Sequence, residues 1–320
     1  MRYKMEKFKS GTLKRTNVRK NYFELLARRL YFGLSWRICP TKTKETFSKH
    51  FFTPKAYSLS SSEQNIMDQA EKFELDLAGK TVQGWKWGKG KVVFLVHGWS
   101  GRGIQLAPFI EPLRDAGFSV VTWDKPGHGE SGGTRTNYFE FTHALAKMTE
   151  KFEVPNVAGI IAHSMGAGAT INWLSKEKFF GKVVLIAPLL KVTETLSDGV
   201  ASYGIPKGLF HRVMFDLEES TQRNLQLENP MELAHSIDSE VHIFHDYNDR
   251  AVPFAHSFEL SQKKRNFILH PTLNLGHNRI LKDEKVIRSI VEKFDEKRIS
   301  TTSYAMSATL NESSIPLQAG

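Results

Sequence analysis

"GIIAHSMGAGAT", residues 159–170, places one serine between a β-branched run and a run of glycine and alanine. Val157, Ile160 and Ile161 read as a strand buried on both faces. Gly166, Gly168 and the intervening alanines read as the start of a helix that lies very close to a neighbour. A serine on so sharp a strand-to-helix turn projects its hydroxyl beyond the end of the sheet, with the helix N-terminus behind it. The positions two before and two after must be small because the backbone is crowded there. They are Ala162 and Gly166. Taken alone, Ser164 also fits an ordinary helix N-cap, so the choice rests on the rest of the chain.

Working outward, short apolar segments alternate with helix-like ones. "KVVFLV" (91–96), "FSVVTW" (118–123), "NVAGIIA" (156–162), "KVVLIA" (182–187), "EVHIFH" (240–245) and "RNFILH" (265–270) read as strands. Helical spacing falls between them at 104–116, 137–152 and 167–178, and again at 283–296. This alternation predicts an α/β fold, a mostly parallel sheet with helices on both faces. "FELDLAG" and "TVQGWKW" precede it as two strands joined by a turn at Ala78–Lys80. Between Ala187 and Ser239 the strand pattern stops. The insertion, about 188–238, has helix-like pieces with Leu209, Phe210, Val213, Met214, Phe215 and Leu217. It leaves the sheet at the edge where such folds bind ligands, and reads as a lid.

The expected organisation is a basic arm over residues 1–70, an α/β domain over 71–297 and a Ser/Thr-rich tail over 298–320 that is expected to be disordered. Within the arm, residues 1–20 read as flexible. Phe23, Leu26, Leu30 and Leu34 recur at helical spacing through Asn21–Trp36.

Composition narrows the class. The chain has 320 residues, 40% hydrophobic and 24% charged, ordinary for a globular protein. A single cysteine, Cys39, excludes an internal disulfide and fits a reducing compartment. There is no His-Glu-x-x-His and no Cys/His spacing for zinc, so neither metal nor cofactor is expected. The longest charge-free apolar stretch near the N-terminus, Leu30–Trp36, is far short of the roughly 20 residues of a membrane span. No secretory signal pattern is present, and the expectation is a cytoplasmic protein. Residues 1–50 carry 14 Lys/Arg and 3 Asp/Glu, a net of +11, while the remainder nets −1. The arm is therefore expected to touch an anionic membrane peripherally or to lie in solvent. No nucleic-acid motif accompanies it.

Three further segments join Ser164. "LVHGWSGRG" ends the first buried strand with His97-Gly98-Trp99, and a sharp exit there frees the Trp99 N–H. With the Met165 N–H it would form an oxyanion hole. "HDYNDRAVPF" follows the strand at 240–245, and "LNLGHNRIL" follows the one at 265–270. They supply an acid and then a histidine, in the order Ser, Asp, His. A serine hydroxyl attacks well only when a base takes its proton, and a carboxylate fixes the tautomer of that base. Two acids compete, Asp246 and Asp249. Asp249 stands on the loop just before Val252-Pro253, where a proline suits the first turn of a helix. His163 adjoins Ser164, but neighbours on a sharp turn point apart. His97, His128 and Asp124 read as braces of their loops.

With these motifs in this order, residues 85–296 resemble the α/β-hydrolase superfamily. The likeness is to bacterial serine hydrolases, esterase- or lipase-like, with HGW, DKPGHGES, AHSMG, NDRAVP and GHNRIL segments. It covers about two thirds of the chain. It implies Ser164 as nucleophile, Asp249 as acid, His277 as base, and Trp99 and Met165 as oxyanion donors. Ala162 departs from the usual Gly-x-Ser-x-Gly. Serine at the elbow argues against dehalogenase or epoxide-hydrolase chemistry, which uses an aspartate there, and the lack of a His-Gly-Gly-Pro-type loop argues against an iminopeptidase. The expected activity is hydrolysis of a carboxylic ester or thioester. An acyltransferase using the same triad and a non-catalytic binding protein on the scaffold are the alternatives.

Overall fold

The computed structural model describes residues 15–294, with side chains from residue 24 onward. The tail at 298–320 and the start of the arm lie outside the described residues. These divide into two compact units. One comprises Phe51–Thr195 with the described residues from Arg223 onward, and the other the described residues up to His50 with Leu196–Gln222.

The first unit holds all eight strands: β1 Glu71–Leu77, β2 Lys80–Trp87, β3 Val92–Val96, β4 Ser119–Trp123, β5 Val157–His163, β6 Lys182–Ile186, β7 Val241–Asp246 and β8 Phe267–Thr272. Their order in the sheet is β1-β2-β4-β3-β5-β6-β7-β8. β1 pairs antiparallel with β2, and β2 with β4; every other neighbouring pair is parallel. The β1–β2 turn contains Ala78 and Gly79, both at positive φ.

The helices are α1 Arg15–Ile38, α2 Pro40–Phe51, α3 Ser61–Met67, α4 Ile110–Asp115, α5 Tyr138–Phe152, α6 Met165–Leu174, α7 Val192–Ser202, α8 Lys207–Thr221, α9 Pro230–Leu233, α10 Phe254–Lys263, α11 Gly276–Arg279 and α12 Glu284–Val291. The helical spacing at 104–116 resolves into a 3₁₀ turn, Gly103–Phe109, followed by α4. Pro108, which has no amide hydrogen to donate, and non-helical backbone at Leu106 break the α ladder there. α5 starts where the Asn137 side chain accepts from the Glu140 amide, and α12 where Asp283 accepts from Lys285 and Val286. Residues 188–238 carry α7, α8 and α9 and no strand.

The period of two along each strand splits the core into two layers. Phe94 and Val96 of β3, Ile160 and Ala162 of β5, and Val183 and Leu185 of β6 face one layer, with Leu145, Met148 and Ile171 from the covering helices. Val93 and Leu95, Ile161, and Val184 and Ile186 face the other, with Leu113, Val286 and Ile290. Burial on both faces explains why these strands read as unbroken apolar runs. Phe94 packs edge-on against Trp123 with centroids 5.5 Å apart, and both rings are fully enclosed. Replacing Phe94 by alanine should cost about 3–5 kcal/mol of unfolding free energy through lost burial and a residual cavity, read as a lower urea midpoint. A loss under about 1 kcal/mol would show that the layer closes over the gap.

Candidate active site

The parallel strands bring their C-terminal ends to one edge of the sheet, and the site grows from that edge. β5 ends at His163 and α6 begins at Met165, so Ser164 alone makes the reversal. Its φ is 55° and ψ −121°, a conformation that side-chain-bearing residues rarely adopt and that costs of order 1–3 kcal/mol. The surroundings hold it there. The Ser164 amide donates to Ile186 O at 2.9 Å, and its carbonyl accepts from Ala167, Gly168 and Leu189, each at 3.1 Å. A Cβ on Gly166 would stand 2.4 Å from His97 O, so this glycine is required by the approach of the β3 end. On the other side, a Cβ on Gly98 would stand 2.8 Å from the Ser164 Cβ.

Ser164 Oγ lies 3.0 Å from His277 Nε2, and His277 Nδ1 lies 2.7 Å from Asp249 Oδ2. The ionised carboxylate can only accept, so Nδ1 carries the hydrogen and Nε2 is left to accept from the serine hydroxyl. Asp249 Oδ1 accepts from the amides of Ala251 and Val252 at 2.7 and 3.0 Å, which fixes the carboxylate plane. Burial works to raise the Asp249 pKa, but hydrogen bonds from His245, His277 and Val252 outweigh it and hold the carboxyl well below its usual range.

Asp246 has another task. Its Oδ2 accepts from Thr272 Oγ1 and the Leu275 amide, each at 2.9 Å, and its Oδ1 from the Asn248 amide at 2.9 Å. It thereby ties the loop bearing Asp249 to the loop bearing His277 and does not touch the imidazole. Its pKa is lowered too, the backbone amides and Thr272 overriding the effect of burial.

The loop after β3 comes within contact of Ser164 through Gly98. His97 donates from Nδ1 to Gly98 O at 2.7 Å and accepts at Nε2 from the Lys125 amide at 3.0 Å. Lys125 Nζ, fully enclosed, donates to His97 O at 2.8 Å and lies 4.8 Å from the Phe141 ring centroid. The Ser100 amide is taken by His128 Nε2 at 3.1 Å. Among the described residues, the amides of Trp99 and Met165 have no protein acceptor. Asp124 braces the same region, accepting from Gly103 N, Arg102 Nε and Glu130 N at 2.8, 3.1 and 2.9 Å.

A family model described as "Serine aminopeptidase, S33" matches residues 89–256, just over half of the chain. The chain belongs to the S33 family of α/β-hydrolases. A non-heme chloroperoxidase of Kitasatospora aureofaciens, CPO-A1, is 28% identical over 121 residues, 36% of this chain and 44% of that protein. The chain thus spans less than half the length of that curated relative. Among solved structures, an esterase of Pyrococcus furiosus is similar with a TM-score of 0.59 at 20% identity, over 77% of this chain and 97% of the esterase. The thioesterase domain from the curacin biosynthetic pathway is similar with a TM-score of 0.53 at 14% identity, over 70% of this chain and 98% of the domain. At such identities these neighbours speak for the α/β-hydrolase fold.

Two further histidines stand at this S33-family site: His163, expected to point away from its neighbour Ser164, and His245, which escapes a reading by motif. His163 turns away from Ser164 and donates from Nε2 to the His277 carbonyl at 3.0 Å, its ring centroid 4.6 Å from that of His277. His245, fully enclosed, donates from Nε2 to Val252 O at 3.2 Å with Asp249 Oδ2 at 3.4 Å, and accepts at Nδ1 from Ser257 Oγ at 2.7 Å. The one available signal was an imidazole at the end of β7, four residues before the acid.

Burial, aided by the neighbouring His277, pushes the His163 pKa down to about 3 from the ordinary 6.5. The native ring stays neutral while the unfolded ring gains a proton below about pH 6.5. The contribution of His163 to stability is therefore largest above that pH and falls as pH drops toward 3. Between pH 7.5 and 5 the wild type should lose about 2 kcal/mol more than His163→Gln, which keeps a donor for the His277 carbonyl. Urea titrations of both proteins at the two pH values measure this, and equal losses would show that the native ring protonates freely.

Proposed function

We propose that this S33-family protein is a serine hydrolase that cleaves a carboxylic ester or thioester through an acyl-enzyme on Ser164. The observation carrying the proposal is the unbroken chain Ser164 Oγ, His277, Asp249, with contacts of 3.0 and 2.7 Å, at the edge of the sheet. In this reading His277 Nε2 takes the serine proton as Oγ bonds to the acyl carbon. The carbonyl oxygen becomes an oxyanion facing the amides of Trp99 and Met165. When the intermediate collapses, the C–O or C–S bond breaks and His277 returns the proton to the leaving alcohol or thiol. Water then gives a proton to His277 as its oxygen bonds to the acyl carbon, and when the C–Oγ bond breaks His277 passes that proton to Oγ, releasing the acid and restoring Ser164.

Each donor proposed for this cycle stands on rigid backbone. The Met165 amide opens α6, so the helix dipole favours negative charge there. The Trp99 amide is offered by a loop whose shape His97, His128 and Lys125 hold from behind. The insertion between β6 and β7 is rooted at the elbow, where the Leu189 amide donates to the Ser164 carbonyl. The partner implied is a small acyl ester or thioester, with no cofactor in the cycle.

Ser164→Ala and His277→Ala should each lower turnover of p-nitrophenyl esters by about 10⁴–10⁶ while circular dichroism is unchanged. A fluorophosphonate should label the wild type and not Ser164→Ala. Assaying esters of graded chain length beside acyl-CoA thioesters and aminoacyl p-nitroanilides tests the substrate class. Turnover of the anilides alone would move the reading to a peptidase.

The two carboxylates separate by function. Asp249→Asn should fall by about 10⁴ in kcat, since an amide loses the charge that orients and stabilises the imidazolium. Asp246→Asn should fall far less, on the order of tenfold, by loosening the loop that carries His277. The opposite ranking would reassign the acid.

A further inference from the structure

The faces of α1 do not match its surroundings. Leu25, Phe32, Ser35 and Trp36 are half-buried. The backbone at Arg28 and Arg29 comes within reach of Gly204 of the same compact unit, where an added Cβ would stand 3.2 Å from Arg28 Cβ and from Arg29 N. That is the inner face. On the opposite side Leu26, Leu30, Tyr31, Leu34 and Ile38 are exposed, at 40, 65, 65, 61 and 67%. Leu26, Leu30, Leu34 and Ile38 are four residues apart, so successive positions shift by about 40° around the axis and form one continuous oblique stripe. Exposed single apolar residues are ordinary, but a stripe of five along one helix is not.

The charge around the stripe limits what can cover it. Arg28, Arg29 and Arg37 are exposed on α1, and Glu24 is the one acidic residue of the helix. The surrounding sequence, residues 1–50, carries 14 Lys/Arg against 3 Asp/Glu. A second copy would bring the same positive charge to the contact and repel. A nucleic acid would satisfy the charge and leave the leucines in water. An anionic lipid surface satisfies both, taking the apolar side chains at the headgroup–acyl boundary and Arg37, which lies on the same side of the helix, at the phosphates. No described helix is long and apolar enough to cross a membrane, and α1 suits lying on one.

We propose that the outer face of α1, through Leu26, Leu30, Tyr31, Leu34 and Ile38 with Arg37 beside them, docks the protein on an anionic phospholipid bilayer. This goes beyond the hydrolase reading and does not depend on Ser164.

The test is co-sedimentation of the full chain with vesicles of phosphatidylglycerol and phosphatidylcholine, or of phosphatidylcholine alone, over a salt series. Wild-type protein should bind the anionic vesicles, at least tenfold more weakly in 0.5 M salt, and bind the neutral ones poorly. Leu30→Glu/Leu34→Glu should lower anionic binding at least tenfold, and Leu30→Ser/Leu34→Ser by an intermediate factor. Both variants should keep wild-type circular dichroism and ester turnover. Three results would overturn the proposal: wild-type protein remaining in the supernatant, the glutamate variant binding as wild type, or light scattering showing a dimer that the variant converts to monomer. Equal or tighter binding of wild type to duplex DNA in matched salt would transfer the surface to nucleic acid.

Discussion

The backbone reversal at Ser164 is the constraint on which the rest of the site depends. One residue must end β5, begin α6 and keep its side chain clear of both, which forces φ to 55°. The strain persists because the turn is over-determined. Three amides converge on the Ser164 carbonyl, its own amide is held by β6, and the glycines at 98 and 166 let the end of β3 come close. A larger residue at either glycine would displace the serine or the loop beside it. The Gly-and-Ala run after Ser164 is thus a record of how near β3 and the Leu189 backbone approach α6.

Behind this turn lies a buried shell of histidines and charged groups, and polar satisfaction explains its order. His97 and His128 each give Nδ1–H to a carbonyl and receive a backbone amide at Nε2. Burial lowers the pKa of both, that of His128 to about 4, so they hold the loop as neutral hydrogen-bonding braces. Lys125 is driven well below its ordinary value by burial, and its Nζ still reaches the His97 carbonyl. The carboxylates divide the work. Asp249 meets His277, Asp246 joins the two loops, and Asp124 gathers Arg102 and two amides. The same side chain serves three purposes because its neighbours differ.

The N-terminal helices and part of the insertion make a separate compact unit. Lys44 and Asp216, far apart in sequence, form an ion pair at 2.6 Å within it. Sequence periodicity alone marks Leu26, Leu30 and Leu34 as an apolar stripe, and such stripes are most often docked on the rest of a chain. In the structure the docked face is the one with Phe32 and Trp36, and the leucine stripe is turned outward. Both faces of α1 are apolar, so no pattern of hydrophobicity could choose between them; the packing of the unit did.

By itself the sequence determined the α/β class, because strands buried on both faces must be continuous apolar runs and their helical connections must be amphipathic. β3 to β7 were legible for that reason, and β1 and β2 as two strands joined by a turn at Ala78–Lys80. It also singled out Ser164, Trp99, His277 and two competing acids, Asp246 and Asp249, since each lies at or just beyond the end of a strand and parallel strands carry their ends to a common edge. Only the tertiary structure decided which acid meets the imidazole. Asp246 ends β7 and Asp249 stands three residues beyond it, both with enclosed carboxylates, and their difference lies in where β8 and its loop arrive, more than twenty residues after Asp246. The same holds for His163 and His245. A histidine in a strand is equally compatible with packing, ligation or catalysis, and its role is set by whichever carbonyl or carboxylate a distant segment brings to its ring. Local pattern encodes burial and backbone direction, whereas a hydrogen bond between loops exists only once the whole sheet has formed.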